Sequence, residues 1–219
     1  MTGVDDLDAV GLLHEPLRRQ LYEYVVAADH EVTRAEAADA TGIQRTLAAF
    51  HLDKLVDANL LAASVRRVNG RSGPGAGRPA KVYRRAAVEH TVSLPARDYR
   101  GIAELLADVV DEARLDEQLR LAARRRGAAF AGGGSRGQRP GDVVGRLAEL
   151  GYEPVVDGDV VRMRNCPFHA LSESHPALVC GMNLALLEGL LGDDRTWVAA
   201  LDPGPDGCCT VLRSIDNQD

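Results

Sequence analysis

Residues 33–61 read TRAEAADATGIQRTLAAFHLDKLVDANLL, and the interpretation of the whole chain turns on them. Thr33 followed by Glu36 is a capping box, in which each side chain satisfies a backbone N–H that the start of a helix leaves open. Gly42 closes that short helix, because glycine enters the left-handed conformation of a C-terminal cap without steric cost. A second helix follows almost at once. Ala48, Leu52, Leu55 and Val56 recur at helical spacing as its buried stripe, leaving Gln44, Arg45, Thr46, Ala49 and Lys54 outward. It runs to about Ala58. Upstream, Pro16 suits a first helical position, and Leu17, Leu21, Tyr24 and Val25 continue at helical spacing, so a helix is expected over 16–28.

Downstream, Leu61–Arg67 and Ala80–Arg85 are short and β-compatible. The segment between them, NGRSGPGAGRPA (69–80), is too rich in Gly and Pro to be regular structure. Charge marks the same region. The chain has 219 residues, 26 Lys+Arg against 32 Asp+Glu, and a net charge of -6, a balance that by itself argues against a polyanion binder. Yet no acidic residue lies between Asn59 and Glu89, while Arg66, Arg67, Arg71, Arg78, Lys81, Arg84 and Arg85 all do. Residues 1–60 reverse this, with five cations and eleven anions. Binding responds to the local field rather than to net charge, so a basic island on an acidic chain calls for a partner.

Two short helices joined by a tight glycine turn, then a β-ribbon with a basic tip, make the outline of a winged helix-turn-helix over residues 8–90. A helix fits the major groove of duplex DNA and presents its first residues to base edges, while cations on a ribbon hold phosphates. Arg45 is then the candidate for a bidentate base contact, with Gln44, Thr46 and Ala49 beside it and Lys54 on a phosphate. Arg66, Arg67, Arg71 and Lys81 are ribbon candidates. Arg78, held extended between Gly77 and Pro79, suits the narrow minor groove. His51 lies beside the buried stripe and reads as structural; Phe50 could pack or meet a thymine methyl.

The remainder reads as a second unit, giving an α+β chain. Pro95 opens a helical stretch to Arg126, with Ile102, Leu106, Val109 and Ala113 on one face and Leu115, Leu119 and Ala122 extending it. Such a stripe suits a homodimer seam, and a two-fold dimer reads an inverted-repeat operator. The run GAAFAGGGSRGQRPG (127–141) is a linker by composition. A small C-terminal α/β domain over 142–215 follows, with a short antiparallel sheet. It has a helix at 142–150, a hairpin turned at Asp157-Gly158, a loop NCPFHALSESHP, a helix from Pro176 to Leu191, and strands at Trp197–Leu201 and Cys208–Arg213. No stretch approaches the roughly 18 apolar residues of a membrane helix. The acidic start MTGVDDLDAV is unlike an export signal, so a cytoplasmic location, no membrane partner and reduced thiols are expected.

All four cysteines, Cys166, Cys180, Cys208 and Cys209, lie in this last unit. A loop, a helix start and a strand start can converge on one point. Because neighbours on a strand point to opposite faces, only one of Cys208 and Cys209 is expected to join Cys166 and Cys180, with His169 as a further donor. Soft thiolates select zinc, copper(I) or an iron–sulfur cluster, and these wide spacings are not the paired knuckles of structural zinc sites. Without a metal the cysteines would be small core residues. A thiol enzyme using Cys166 and His169 lacks an evident acid to orient the histidine, and no nucleotide loop is present, so no enzyme is expected.

TRAEAADATGIQRTLAAFHLDKLVDANLL, followed by SGPGAGRPAKVYRRA (72–86), resembles the ArsR-type winged-helix regulators of bacteria, in the branch containing SufR, and the C-terminal unit is similar as well. The resemblance implies a repressor whose operator binding depends on an iron–sulfur cluster held by Cys166, Cys180 and Cys208. It leaves the fourth ligand open between His169, Cys209 and an exogenous donor, and leaves zinc or no cofactor as alternatives.

Overall fold

Local signals act where the sequence places them. In the computed structural model, which describes residues 6–66, 79–132, 143–194, 196–204 and 207–215, the Thr33 hydroxyl accepts from the Glu36 N–H and the Glu36 carboxylate from the Thr33 N–H. Gly42 caps the helix at φ +69°, in the left-handed region. Two compact units result, Met1–Arg97 and Asp98–Asp219. Both mix helices with one small antiparallel sheet, so the chain is α+β.

In the first unit, α1 (Asp6–Gly11) and a 3-10 turn (Leu12–His14) precede α2 (Pro16–Ala27), β1 (Val32–Thr33), α3 (Arg34–Thr41), α4 (Arg45–Asp57), β2 (Leu61–Arg66) and β3 (Ala80–Arg85). The sheet order is β1-β3-β2, with Leu61 opposite Arg85 and Arg66 opposite Ala80. Leu21, Val25, Val32, Leu52, Leu55 and Leu61 close over the alanines Ala37, Ala38 and Ala48, whose small side chains let the helices approach. Each buried leucine stabilises the unit by about 2 kcal/mol relative to an exposed one. The expected boundary at residue 8 is too late. The Asp6 carboxylate accepts from His90 Nδ1 at 2.9 Å and from the Thr91 N–H at 3.3 Å, which ties the chain beyond β3 back to α1.

The second unit runs α5 (Tyr99–Glu112), α6 (Asp116–Gly132), α7 (Val143–Glu149), β4 (Pro154–Asp157), β5 (Val160–Met163), α8 (His169–Ser174), α9 (Pro176–Leu191), β6 (Trp197–Leu201) and β7 (Thr210–Ser214). Its sheet order is β4-β5-β7-β6. Helix α9 carries apolar residues all round, because it packs on α6 as well as on the sheet. At the α6–α9 crossing the backbones nearly touch. A Cβ on Gly127 would lie 2.0 Å from the Leu186 carbonyl oxygen, and one on Gly189 2.0 Å from that of Arg124.

Several expectations for this half are corrected. The expected helix over 95–126 starts at Tyr99, where Asp98 accepts the Gly101 N–H at 2.7 Å, and it breaks into α5 and α6 where Arg114 takes φ +55°. Residues 127–132 of the expected linker continue α6; their glycine serves the crossing rather than flexibility. The rest of that linker, 133–141, lies outside the described residues. The loop 165–176 contains α8, the β4–β5 turn centres on Gly158 and Asp159, and β7 begins at Thr210 rather than Cys208.

Candidate functional site

The face of α4 opposite its core stripe is the first candidate. Gln44, at the cap position, and Arg45 and Thr46, in the first turn, are exposed, and Arg45 makes no ion pair among the described residues. Ala49 is half-buried. Lys54 is exposed with its ammonium 5.1 Å from the centre of the Phe50 ring. Phe50 is itself 55 % exposed and Leu47 41 %, so neither belongs to the core. His51 is buried as expected, edge-on to Phe50 and 3.8 Å from the carboxylate of Glu15.

The ribbon cations divide. Arg66 gives its Nε to Glu31 at 2.8 Å and leaves the rest of its guanidinium exposed. Lys81, expected on a phosphate, is instead paired with Asp53 of α4 at 2.6 Å, and the Tyr83 hydroxyl donates to the same carboxylate oxygen at 3.0 Å. Burial pushes the Asp53 pKa up, but the Lys81 and Tyr83 hydrogen bonds and nearby cations outweigh it and hold the group below its ordinary value. Burial, then Asp53, keeps the Tyr83 phenol protonated. Lys81 therefore braces β3 against α4. Arg67, Arg71 and Arg78 lie outside the described residues. Sequence reasoning missed Arg34, which lines a concavity with Arg45, Lys81, Thr33, Val65 and Pro79. A signal existed: a cation at the first position of a helix opposes the helix dipole, so its placement needs another reason.

The thiols form the second candidate. Val160 pairs with Arg213 and Val161 with Leu212, and continuing that register brings the loop after Met163 against the loop before Thr210. The Cys208 N–H donates to the Met163 carbonyl at 2.8 Å. Cys166, Cys180 and Cys209 are half-buried and Cys208 is buried; all are free thiols. Cys166 interacts directly with Cys208, and Cys180 with Cys209. The Cys208 sulfur also accepts from Asn183 Nδ2 at 3.2 Å and from the Thr210 N–H at 3.5 Å. Asn183 is oriented in turn by the Tyr152 hydroxyl. The Cys166 thiol, more than burial, decides the balance at Cys208: the donors around that sulfur bring its pKa down to about 6, while Cys166 is pushed up by the same contact and by burial.

This corrects one expectation. Cys208 and Cys209 precede the strand, so strand alternation does not separate them, and both face other thiols. His169 does not compete well as their companion: its side chain is 60 % exposed and lies 3.8 Å from Glu173, one turn along α8. Glu173 is thus the acidic neighbour that the sequence did not reveal. Among the described residues, no three or more His, Cys, Asp and Glu side chains are grouped as a metal cage. The donors fit a soft metal or cluster by chemistry, and they stand as two touching pairs joined through the Cys208–Cys209 peptide.

A third feature is apolar. On α5, Ile102 is 52 % exposed, Leu106 60 % and Val109 54 %, so this stripe has no cover within the chain. No helix among the described residues is long and apolar enough to cross a membrane. No family model, curated protein or solved structure matches the chain.

Proposed function

We propose that the chain is a sequence-specific DNA-binding regulator, a repressor of the ArsR-type winged helix-turn-helix class in the SufR-like branch, working in the cytoplasm and without catalytic activity. One observation carries the reading. Helix α4 turns its core stripe inward and exposes Gln44, Arg45 and Thr46 at its first turn, with Arg34 alongside and the antiparallel β2–β3 pair following. In this reading α4 enters the major groove, Arg45 reads a base edge, and Arg34, Lys54 and Arg66 meet phosphates. The uncovered stripe of α5 supports a homodimer on an inverted-repeat operator.

The C-terminal unit is the sensor. Cys166, Cys180 and Cys208 would hold an iron–sulfur cluster, with Cys209 better placed than His169 as the fourth donor. When bound, such a cluster supplies a redox-labile crosslink. The protein's own part is to gather the β5–α8 loop, α9 and the loop before β7 at one corner, and to aim Asn183 at the Cys208 sulfur. The two-pair spacing favours a second reading, in which this unit holds no metal and serves dimerisation or ligand binding.

Oxygen-free protein tests both through its visible spectrum, its iron, sulfide and zinc content, and its duplex affinity beside a Cys166→Ser variant. Iron and sulfide in the wild type, with an altered affinity in the variant, support the cluster reading. Colourless protein lacking all three supports the metal-free one. Equal affinities overturn control of DNA binding by the thiols.

A further inference from the structure

The pairing of the thiols has a chemical consequence that does not depend on any cofactor or on DNA. The geometry points to a peroxide-driven modification site in which Cys166 joins Cys208, and Cys180 joins Cys209, as two disulfides. Each pair brings together sulfurs from different segments: the loop after β5 with the loop before β7, and α9 with that same loop. The backbone bond from Cys208 to Met163 already holds the first two segments together, so closing that bond asks for little backbone movement. Cys208 and Cys209, as neighbours, would need a distorted peptide to join each other.

Exposure orders the steps. Cys166 is half-buried and Cys208 buried, so a peroxide reaches Cys166 first. The Cys166 sulfur takes one peroxide oxygen as the O–O bond breaks; a sulfenic acid forms and water leaves. The Cys208 sulfur, held by the Asn183 amide and the Thr210 N–H, then displaces hydroxide from the sulfenic sulfur. The S–S bond forms and the Cys208 proton departs with the hydroxide as a second water. Two electrons from the thiol pair have reduced one peroxide. The same two steps join Cys180 to Cys209, and a dithiol reductant reverses both.

The test uses metal-free, full-length protein treated with hydrogen peroxide, its remaining thiols blocked before digestion. Wild-type protein is expected to lose two hydrogens per bond in intact mass, four in all, and to regain them with dithiothreitol. Cleavage after Arg164, Glu173 and Arg195 separates Cys166 from Cys180. Cys209→Ser protein should then link Cys208 to the Cys166 peptide, and Cys208→Ser protein should link Cys209 to the Cys180 peptide. Fragmentation of the wild-type linked peptides gives the same assignment should either variant fold poorly. A Cys166–Cys180 link, exchanged partners, or oxidation without disulfides overturns the proposal. A wild type that also carries no cluster and binds no duplex leaves it standing, so the two readings fail separately.

Discussion

Asp53 shows how one residue joins the reading helix to the ribbon. Its carboxylate receives Lys81 and the Tyr83 hydroxyl, so the position of β3 relative to α4 depends on a charge. Because its pKa in the folded chain lies below the ordinary 3.8, this contribution is fully present above that value. It is lost as the pH falls through the lower folded-state value. Asp53→Asn is expected to lower the denaturation midpoint at neutral pH, with the difference from wild type closing in strong acid. Urea titrations across that range measure it; a difference independent of pH would mean that the charge is idle. The carboxylate is half exposed, so the effect is a modest one.

Elements follow local chemistry until a distant contact intervenes. Caps and periodicity made α2, α3, α4 and α9 legible, since a capping box, a left-handed glycine and an apolar stripe are all written in neighbouring residues. The end of α6 was not legible. Gly127 looks like linker composition, yet it is glycine because the α9 backbone lies against it, and only the tertiary arrangement reveals that. Gly127→Ala must push two helices apart and is expected to cost about 1–3 kcal/mol, read from thermal or urea unfolding. Gly132→Ala, with open space around it, serves as the neutral control. Unchanged stability of Gly127→Ala would contradict the close crossing. The stripe of α5 carries the opposite expectation. Leu106→Glu places a charge on a face already exposed in the chain, so it should leave folding intact and shift sedimentation from dimer to monomer. A monomeric wild type would remove the seam.

At the scale of the whole molecule, the two units divide the work between reading and sensing. The clustering of cysteines was visible in sequence, but their partners were not. Pairing needs the β5–β7 register and the late start of β7, and sequence alternation assigned Cys209 to the wrong face. The DNA-reading face was legible at Gln44, Arg45, Thr46 and Lys54, while Arg34 became apparent only beside Arg45 in the shared concavity. Lys81 could not be assigned from charge alone, since its partner Asp53 lies 28 positions away.

Everything above rests on the first unit gripping duplex DNA despite a net charge of -6. The most direct measurement is the apparent affinity of full-length protein for a pool of random-sequence duplexes as salt is raised, for wild type, Arg34→Ala and Arg45→Ala. Phosphate contacts release counterions, so log affinity should fall linearly with log salt. Losing Arg34 should reduce that slope by about 1, whereas Arg45→Ala should chiefly relax which sequences are retained. Absence of any salt-sensitive retention, in both reduced and oxidised protein, would contradict the assignment.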